Sequence, residues 1–371
     1  MKKIMLALVW AASTSVLGCD DSIPAPQADG GASTDASAPD FSSGTALDVE
    51  VDATAKTYVR LDPPSIVAAD RAASSDWDLA FTGYNVYTNS GPSGPGAGAA
   101  FGPLDASTFL LDEAPTGLPF LAADKTGGAF LGWYFYDGNT HYLWSRLHTF
   151  GVKDGERLWK VQVVTYYGER NGGPVSALYK VRYAELTDAG VGPVQSLLLD
   201  GTAGGTSAPP TAKSGCVDLG TGEQSSLTIT EAAASSAWHL CARRDTISVN
   251  GGVSGPRGAE SADLDESKLA TETLDEVKKR TEASETAIFE AVTKASFASS
   301  KFLPDGIVSA FRNLWVDRAS APPTRGTGAW LVRSARNDDQ YLVAFPSFEG
   351  ATALTPTKIT VRIKKVGGSA Q

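Results

Sequence analysis

The chain has 371 residues, of which 42% are hydrophobic and 20% charged, an ordinary globular composition with room for two or three domains. Its formal charge is −10 and it has no cluster of Lys and Arg. That excludes a nucleic-acid groove, which needs basic side chains to replace phosphate counterions.

At the N-terminus, Lys2 and Lys3 precede an apolar run from Ile4 to Leu17, too short to span a bilayer comfortably. The run ends in Val16-Leu17-Gly18-Cys19, which resembles a bacterial lipoprotein signal. The resemblance implies removal of residues 1–18 and a lipid on Cys19, so that one partner is the membrane. An ordinary secretory signal with an incidental cysteine is the other reading. Loss of Lys2 and Lys3 leaves a charge of −12. The outer membrane or cell surface is the expected location; Asp20 and Asp21 leave the periplasmic face open. Residues 19–45 are rich in Ala, Ser, Asp, Pro and Gly and read as a disordered tether.

From residue 46 the chain reads as β. Thr57–Leu61, Trp77–Phe81 and Tyr84–Thr88 have strand composition, and the Gly/Pro-rich stretch Asn89–Gly102 follows as a loop. Gly94-x-Gly96-x-x-Ala99 only loosely fits a dinucleotide fingerprint, and no helix follows it. Gly132–Asp137, a turn at Gly138-Asn139, and Leu147–Val152 come next. Leu158–Tyr167 then alternates with Trp159, Val161 and Val163 on one face and Lys160, Gln162, Val164 and Tyr166 on the other. Ala177–Leu186 is its hairpin partner.

The stretch Ala72–Pro95 recurs as Ala233–Pro256, with 11 identities in 24 ungapped positions, among them Trp77/Trp238, Leu79/Leu240, Asn89/Asn250 and Ser93-Gly94-Pro95/Ser254-Gly255-Pro256. A self-match at this period means two tandem domains. We expect a mainly β protein of two tandem antiparallel β-sandwich-like domains. These are residues 46–200 and 216–371, joined by a linker at 201–215 whose composition is that of a loop. The second domain carries an α-helical insertion at about 263–300. There Ala270, Leu274, Val277, Ile288, Ala291/Val292 and Ala295 recur at helical spacing, Asp263 with Glu266 resembles a capping box, and Asp275–Lys279 and Glu276–Arg280 are spaced for ion pairs. Tyr341 and Phe348 fall on Trp159 and Tyr166 at an offset of 182, the larger offset reflecting the insertion.

In order, Trp77-Asp78-Leu79-Ala80-Phe81, Thr88-Asn89-Ser90-Gly91, Trp133-Tyr134-x-Tyr136-Asp137, Trp159-Lys160-Val161-Gln162-Val163-x-x-Tyr166-Tyr167 and Tyr179-x-Val181-x-Tyr183-Ala184 resemble the HmuY family of lipid-anchored, largely β surface proteins. The resemblance covers residues 57–186 closely and 213–366 more loosely. It implies capture of haem or a related porphyrin, with a haem-carrying protein or an outer-membrane receptor as partner. A surface protein–protein interaction or structural module on the same fold is the alternative.

Apart from Cys19, the only cysteines are Cys216 and Cys241. They fall on the first strand and the Trp strand of the second copy, and a disulfide is expected if those strands are neighbours. The histidines are His141, His148 and His239. A haem iron takes axial His, Met, Cys or Tyr, so His141 and His148, with Tyr134 and Tyr136 in the aromatic stretch beside them, are the candidate ligand-binding residues. His141 and His148 converge only if the chain between them bends, and all three histidines also read as ordinary polar strand or turn residues. The aromatic residues suit either a sandwich core or an apolar cleft for a flat ligand. No serine nucleophile elbow, His-Glu-x-x-His helix or Cys/His pair is present, so no catalytic residue is assigned and the chain does not read as an enzyme.

Overall fold

The computed structural model describes residues 40–118, 120–204, 208–209 and 211–367. Cys19 and most of the expected tether lie outside the described residues. Within them the chain is mainly β, in four successive quarters. The first contains β1 (Thr45–Glu50), β2 (Thr57–Leu61), β3 (Pro64–Val67), β4 (Leu79–Thr82), β5 (Asn85–Thr88) and β6 (Ala99–Leu104). The second contains β7 (Lys125–Gly127), β8 (Tyr134–Asp137), β9 (Tyr142–Ser145), β10 (Phe150–Asp154), β11 (Arg157–Arg170), β12 (Gly173–Thr187) and β13 (Gly190–Val191). The third contains β14 (Gln195–Asp200), β15 (Ser214–Val217), β16 (Gln224–Leu227), α1 (Ile229–Ala234), β17 (Leu240–Arg243), β18 (Thr246–Val249) and β19 (Glu260–Asp263). After α2 (Leu274–Lys279) and α3 (Glu282–Ala291), the fourth contains β20 (Gly306–Val308), β21 (Val316–Asp317), β22 (Thr324–Arg325), β23 (Ala329–Arg333), β24 (Gln340–Glu349) and β25 (Lys358–Val366).

The quarters combine across the repeat. In the outer sandwich the sheet β3-β2-β4-β5 faces the sheet β1-β25-β24-β23-β6. Their shared core holds Val59, Leu79 and Phe81 from the first quarter against Trp330, Val343, Phe345 and Val361 from the fourth. In the inner sandwich β16-β15-β17-β18 faces β14-β12-β11-β10-β19, and Trp159, Val161 and Val181 pack with Val217, Leu240 and Val249. The domain boundaries expected at 200 and 216 therefore do not separate two cores. β14 and β15, which flank the expected linker, belong to one sandwich, and Asp200 ends a strand whose ladder partner is β12. The reason is physical: an apolar alternating strand shows which face it buries, but not which complementary sheet it buries it against.

The repeated loop holds the chain where it changes sandwich. Asn89 Nδ2 donates to the carbonyls of Ser74 and Trp77, and its Oδ1 accepts from Gly96 N at 2.9 Å. Asn250 does the same with Ser235, Trp238 and Arg257. Ser93 Oγ donates to Asp124 at 2.5 Å, and Ser254 Oγ donates to Asp305 at 2.7 Å. These two buried aspartates immediately precede β7 and β20, which pair with each other antiparallel. The Gly/Pro loop is thus a structural clamp, which accounts for why its residues repeat.

Both sandwiches also cover the outer face of their larger sheet. In the outer one, Phe109 and Ala114 lie over Leu331, Leu342 and Ala344. Phe41 joins them, its ring 5.5 Å from Phe109. Phe41, which falls within the stretch expected as a tether, is therefore part of the packed structure, its ring filling an apolar site. In the inner sandwich the longer segment 264–303 does this work. Its Val292 and Phe297 pack on Leu158 and Leu186, and α3 lies over polar residues. Lys160 Nζ donates to the carbonyls of Phe289, Glu290 and Val292 at 2.6, 3.1 and 2.9 Å, filling the acceptors left open where α3 ends. Arg182 bridges Gln162 Oε1 and Thr286 Oγ1.

The insertion is two short α-helices, capped by Thr273 with Glu276 and by Thr281 with Ser284; Asp263 instead ends β19. Arg280 pairs with Glu272 rather than with Glu276. In β11 a bulge between Val163 and Thr165 shifts the alternation, so Tyr166 faces the core rather than joining Lys160 and Gln162. Cys216 and Cys241 stand opposite each other across β15 and β17 and form the expected disulfide.

Replacing Lys160 with Met should lower the unfolding free energy by about 2–3 kcal/mol, because buried helix-terminal carbonyls lose a charged donor. Urea denaturation followed by tryptophan fluorescence checks this. Asp305 presents the opposite case. Burial pushes its carboxyl up to about 7, only Ser254 Oγ and Val249 N oppose the shift, and Oδ1 has no partner. A raised carboxyl favours the folded state while it is protonated. Its ionisation penalty is absent below the unfolded value near 4 and complete above pH 7. Asp305→Asn should therefore be about 1–2 kcal/mol more stable than the parent at pH 8, with the gain fading toward pH 4. Thermal melts at the two pH values decide it.

Candidate ligand-binding site

The sequence candidates lie on and around the hairpin of β8 and β9 in the inner sandwich. Tyr134 pairs with Ser145, Tyr136 with Leu143 and Asp137 with Tyr142. Antiparallel alternation then places Tyr134 and Tyr136 on one face, and Phe135 and Asp137 on the other. The connecting turn closes through His141 N donating to Asp137 O at 2.7 Å and Asn139 N donating to Asp137 Oδ1 at 3.0 Å. His141 takes a left-handed backbone conformation, φ 57°, which brings its ring back over the strand it has just left. Nδ1 lies 2.5 Å from Tyr136 Oη, and both side chains are exposed. Nearby, Tyr142 stacks on Tyr167 at 4.0 Å and tilts against Trp144 at 4.5 Å, all three partly exposed.

The other two candidates are placed elsewhere. Tyr134 packs on Trp133 at 4.7 Å, and burial, reinforced by the nearby Asp245 carboxylate, pushes its hydroxyl pKa well above the ordinary phenol range. It is partly buried and packs against the core of the inner sandwich. His148 is 2% exposed, with Nδ1 2.8 Å from Asp263 Oδ2 and Nε2 2.9 Å from Glu272 Oε1. Both ring nitrogens are taken, so His148 has no lone pair to offer an iron in this arrangement.

What His148 does instead is fasten the insertion. Desolvation would lower its pKa, but hydrogen bonds to Asp263 and Glu272 hold it up at about 9, an imidazolium between two carboxylates. Burial works to raise the Glu272 carboxyl, yet His148, Arg146 and Arg280 hold it down at about 2. Arg146 Nη1 reaches Glu272 Oε2 at 2.6 Å, and Arg280 also donates to Arg146 O. The segment that leads into α2 is thereby tied to the strand end before β10. Asp265 comes within 4.8 Å of the His148 and Asp263 donor atoms, a spacing a metal could use. Its carboxylate, however, already accepts from Thr149 N and pairs with Lys268.

His239 is fully buried. Its Nδ1 accepts from Leu219 N at 3.0 Å, while desolvation and the neighbouring Arg257 push its pKa down to about 4. Asp78, its counterpart in the first copy, likewise accepts a backbone N–H, from Leu61. The shared task is to satisfy the backbone beside the Trp strand.

No family model matches the chain and no curated protein matches it. The resemblance to the HmuY family thus rests on the sequence motifs. Those motifs divide between the sandwiches: Trp77–Phe81 lies in the outer one, and Trp133–Asp137, Trp159–Tyr167 and Tyr179–Ala184 lie in the inner one.

Because His148 is held protonated in the folded state, its contribution to stability is complete below the unfolded value near 6.5 and disappears as pH rises through about 9. The stability difference between the parent and His148→Gln should be about 3 kcal/mol at pH 6 and shrink toward pH 10. Paired chemical denaturation curves across that range check it.

Proposed function

We propose that this chain is a lipid-anchored, non-enzymatic binding protein of the cell surface, and that it takes haem or a related porphyrin at His141. The observation that carries this reading is the exposed Tyr136–His141 pair. A histidine that ligates a metal donates its second ring N–H to an oxygen, which fixes tautomer and ring orientation. With its proton on Nδ1, His141 donates to Tyr136 Oη and keeps the Nε2 lone pair for iron. The partly exposed rings of Tyr142, Trp144 and Tyr167 supply apolar surface of the kind a flat macrocycle stacks on.

A second reading, a surface protein-interaction module, is favoured by a different feature. An open groove of about 450 Å³ runs beside β13, walled by Glu185, Gln195, the loop Gly190–Pro193 and the turn Gly220–Gly222. Its lining contains no histidine, and its loop backbone suits an extended peptide better than a metal-bearing ring.

The two readings separate in a haem titration of residues 40–371 followed by the Soret band. Haem capture predicts a saturable shift that His141→Ala abolishes and Tyr136→Phe weakens about tenfold. His148→Gln should leave the shift in place. Absence of a saturable shift in the parent would remove the porphyrin reading and leave the interaction module.

A further inference from the structure

The four-quarter arrangement has a pseudo-two-fold character. β7 and β20 occupy equivalent places in the two repeats, and they pair so that Thr126 faces Ile307 while Gly127 faces Gly306 and Lys125 faces Val308. Around this short ribbon the remaining contacts come in matched sets. β6 pairs with β23 as β19 pairs with β10, and β1 pairs with β25 as β14 pairs with β12. Trp133 Nε1 donates to Asp245 O at 2.8 Å, and Trp315 Nε1 donates to Tyr84 O at 2.9 Å. Asp124 Oδ1 accepts from Ala310 N in the other repeat. In every one of these contacts one partner lies before residue 194 and the other after it. The Cys216–Cys241 disulfide lies wholly on one side.

We propose that the stretches before and after Val194 are complementary half-molecules, and that the partner each one fits is the other repeat, whether from the same chain or from a second copy. Five strand ladders and both cores join the halves, so the covalent connection at 192–194 adds proximity and no contact that the halves lack without it. Each half alone holds a first-quarter type of sheet and a second-quarter type of sheet that do not face each other. Its apolar faces are completed only by the complement. This is the geometry of an exchanged dimer whose two subunits have been fused into one chain.

The test uses the full chain with a protease recognition sequence inserted after Val194, which is 47% exposed. The uncut variant should melt as the parent does, which establishes that the insertion is tolerated. After cleavage under native conditions, the fragments should co-elute as a 1:1 complex with unchanged near-UV circular dichroism. Their melting temperature should fall by about 2–3 °C for each tenfold dilution, as a bimolecular unfolding equilibrium requires. Separation on dilution into two fragments that each keep native tryptophan emission and strand signal would overturn the proposal. In a second arm, cleaved light and isotopically heavy proteins are unfolded, mixed and refolded. Mixed heavy–light complexes are the expected product, and folded single fragments are the overturning one.

Discussion

Two buried carboxylates fix where this chain changes sandwich, and the rest of the architecture depends on that placement. Asp124 takes Thr88 N, Thr88 Oγ1, Ser93 Oγ and Ala310 N, so one side chain holds the first-quarter loop and the returning fourth quarter together. Asp305 holds Val249 N and Ser254 Oγ at the equivalent place. Among the described residues neither has a cation in direct contact, and burial pushes both carboxyls up, Asp124 to about 6. The crossings are thus secured by hydrogen bonds whose strength depends on low dielectric, and an unmatched oxygen there is costly. If either loop is moved, β7 and β20 lose their common register, and with it the pairing of β6 with β23 and of β10 with β19.

The two sandwiches solve one problem, covering the outer face of a long sheet, by different chemistry. The outer one is apolar there, and a segment of modest length with Phe109 suffices. In the inner one Lys160, Gln162 and Arg182 occupy that face, each buried and each hydrogen-bonded to a neighbouring strand, strand end or the helical segment, with Arg182 Nη2 left without a partner. A polar sheet face under a helix stabilises only if its partners are all present. That ties the forty-residue scale of the insertion to the composition of β11 and β12. The His148–Asp263–Glu272 cluster closes the other end of the same cover.

Much of the fold was legible. Alternation located most of the long strands, and the repeat announced two similar units. The cysteines also foretold a disulfide, because they fell on strands that proved to be neighbours. What misled was the assumption that a unit of sequence is a unit of packing. Lys160 and Gln162 alternate with Trp159 and Val161 as solvent-facing residues do, and nothing local reveals that a segment more than a hundred residues later buries them. The same distance hid the role of His148, whose two carboxylate partners lie 115 and 124 residues away. The contact of Tyr136 with His141, by contrast, is local, five residues across one turn. Asp124 and Asp305 carry a signal in the sequence: at the offset that aligns Trp133 with Trp315, they fall one residue apart.

The order of the quarters also sets an order of events during synthesis. The inner sandwich is drawn from one continuous stretch, residues 125–304, and has all its strands once that stretch has emerged. The outer sandwich has its first strands from the beginning but lacks β23, β24 and β25 until the end, and β1 zips against the last strand of all. For most of translation, then, residues 45–104 carry an apolar sheet face with no complement. The final sixty residues act as a closing piece. A truncated product would hold one finished sandwich and one exposed half, a state that quality-control proteases and chaperones read as unfinished.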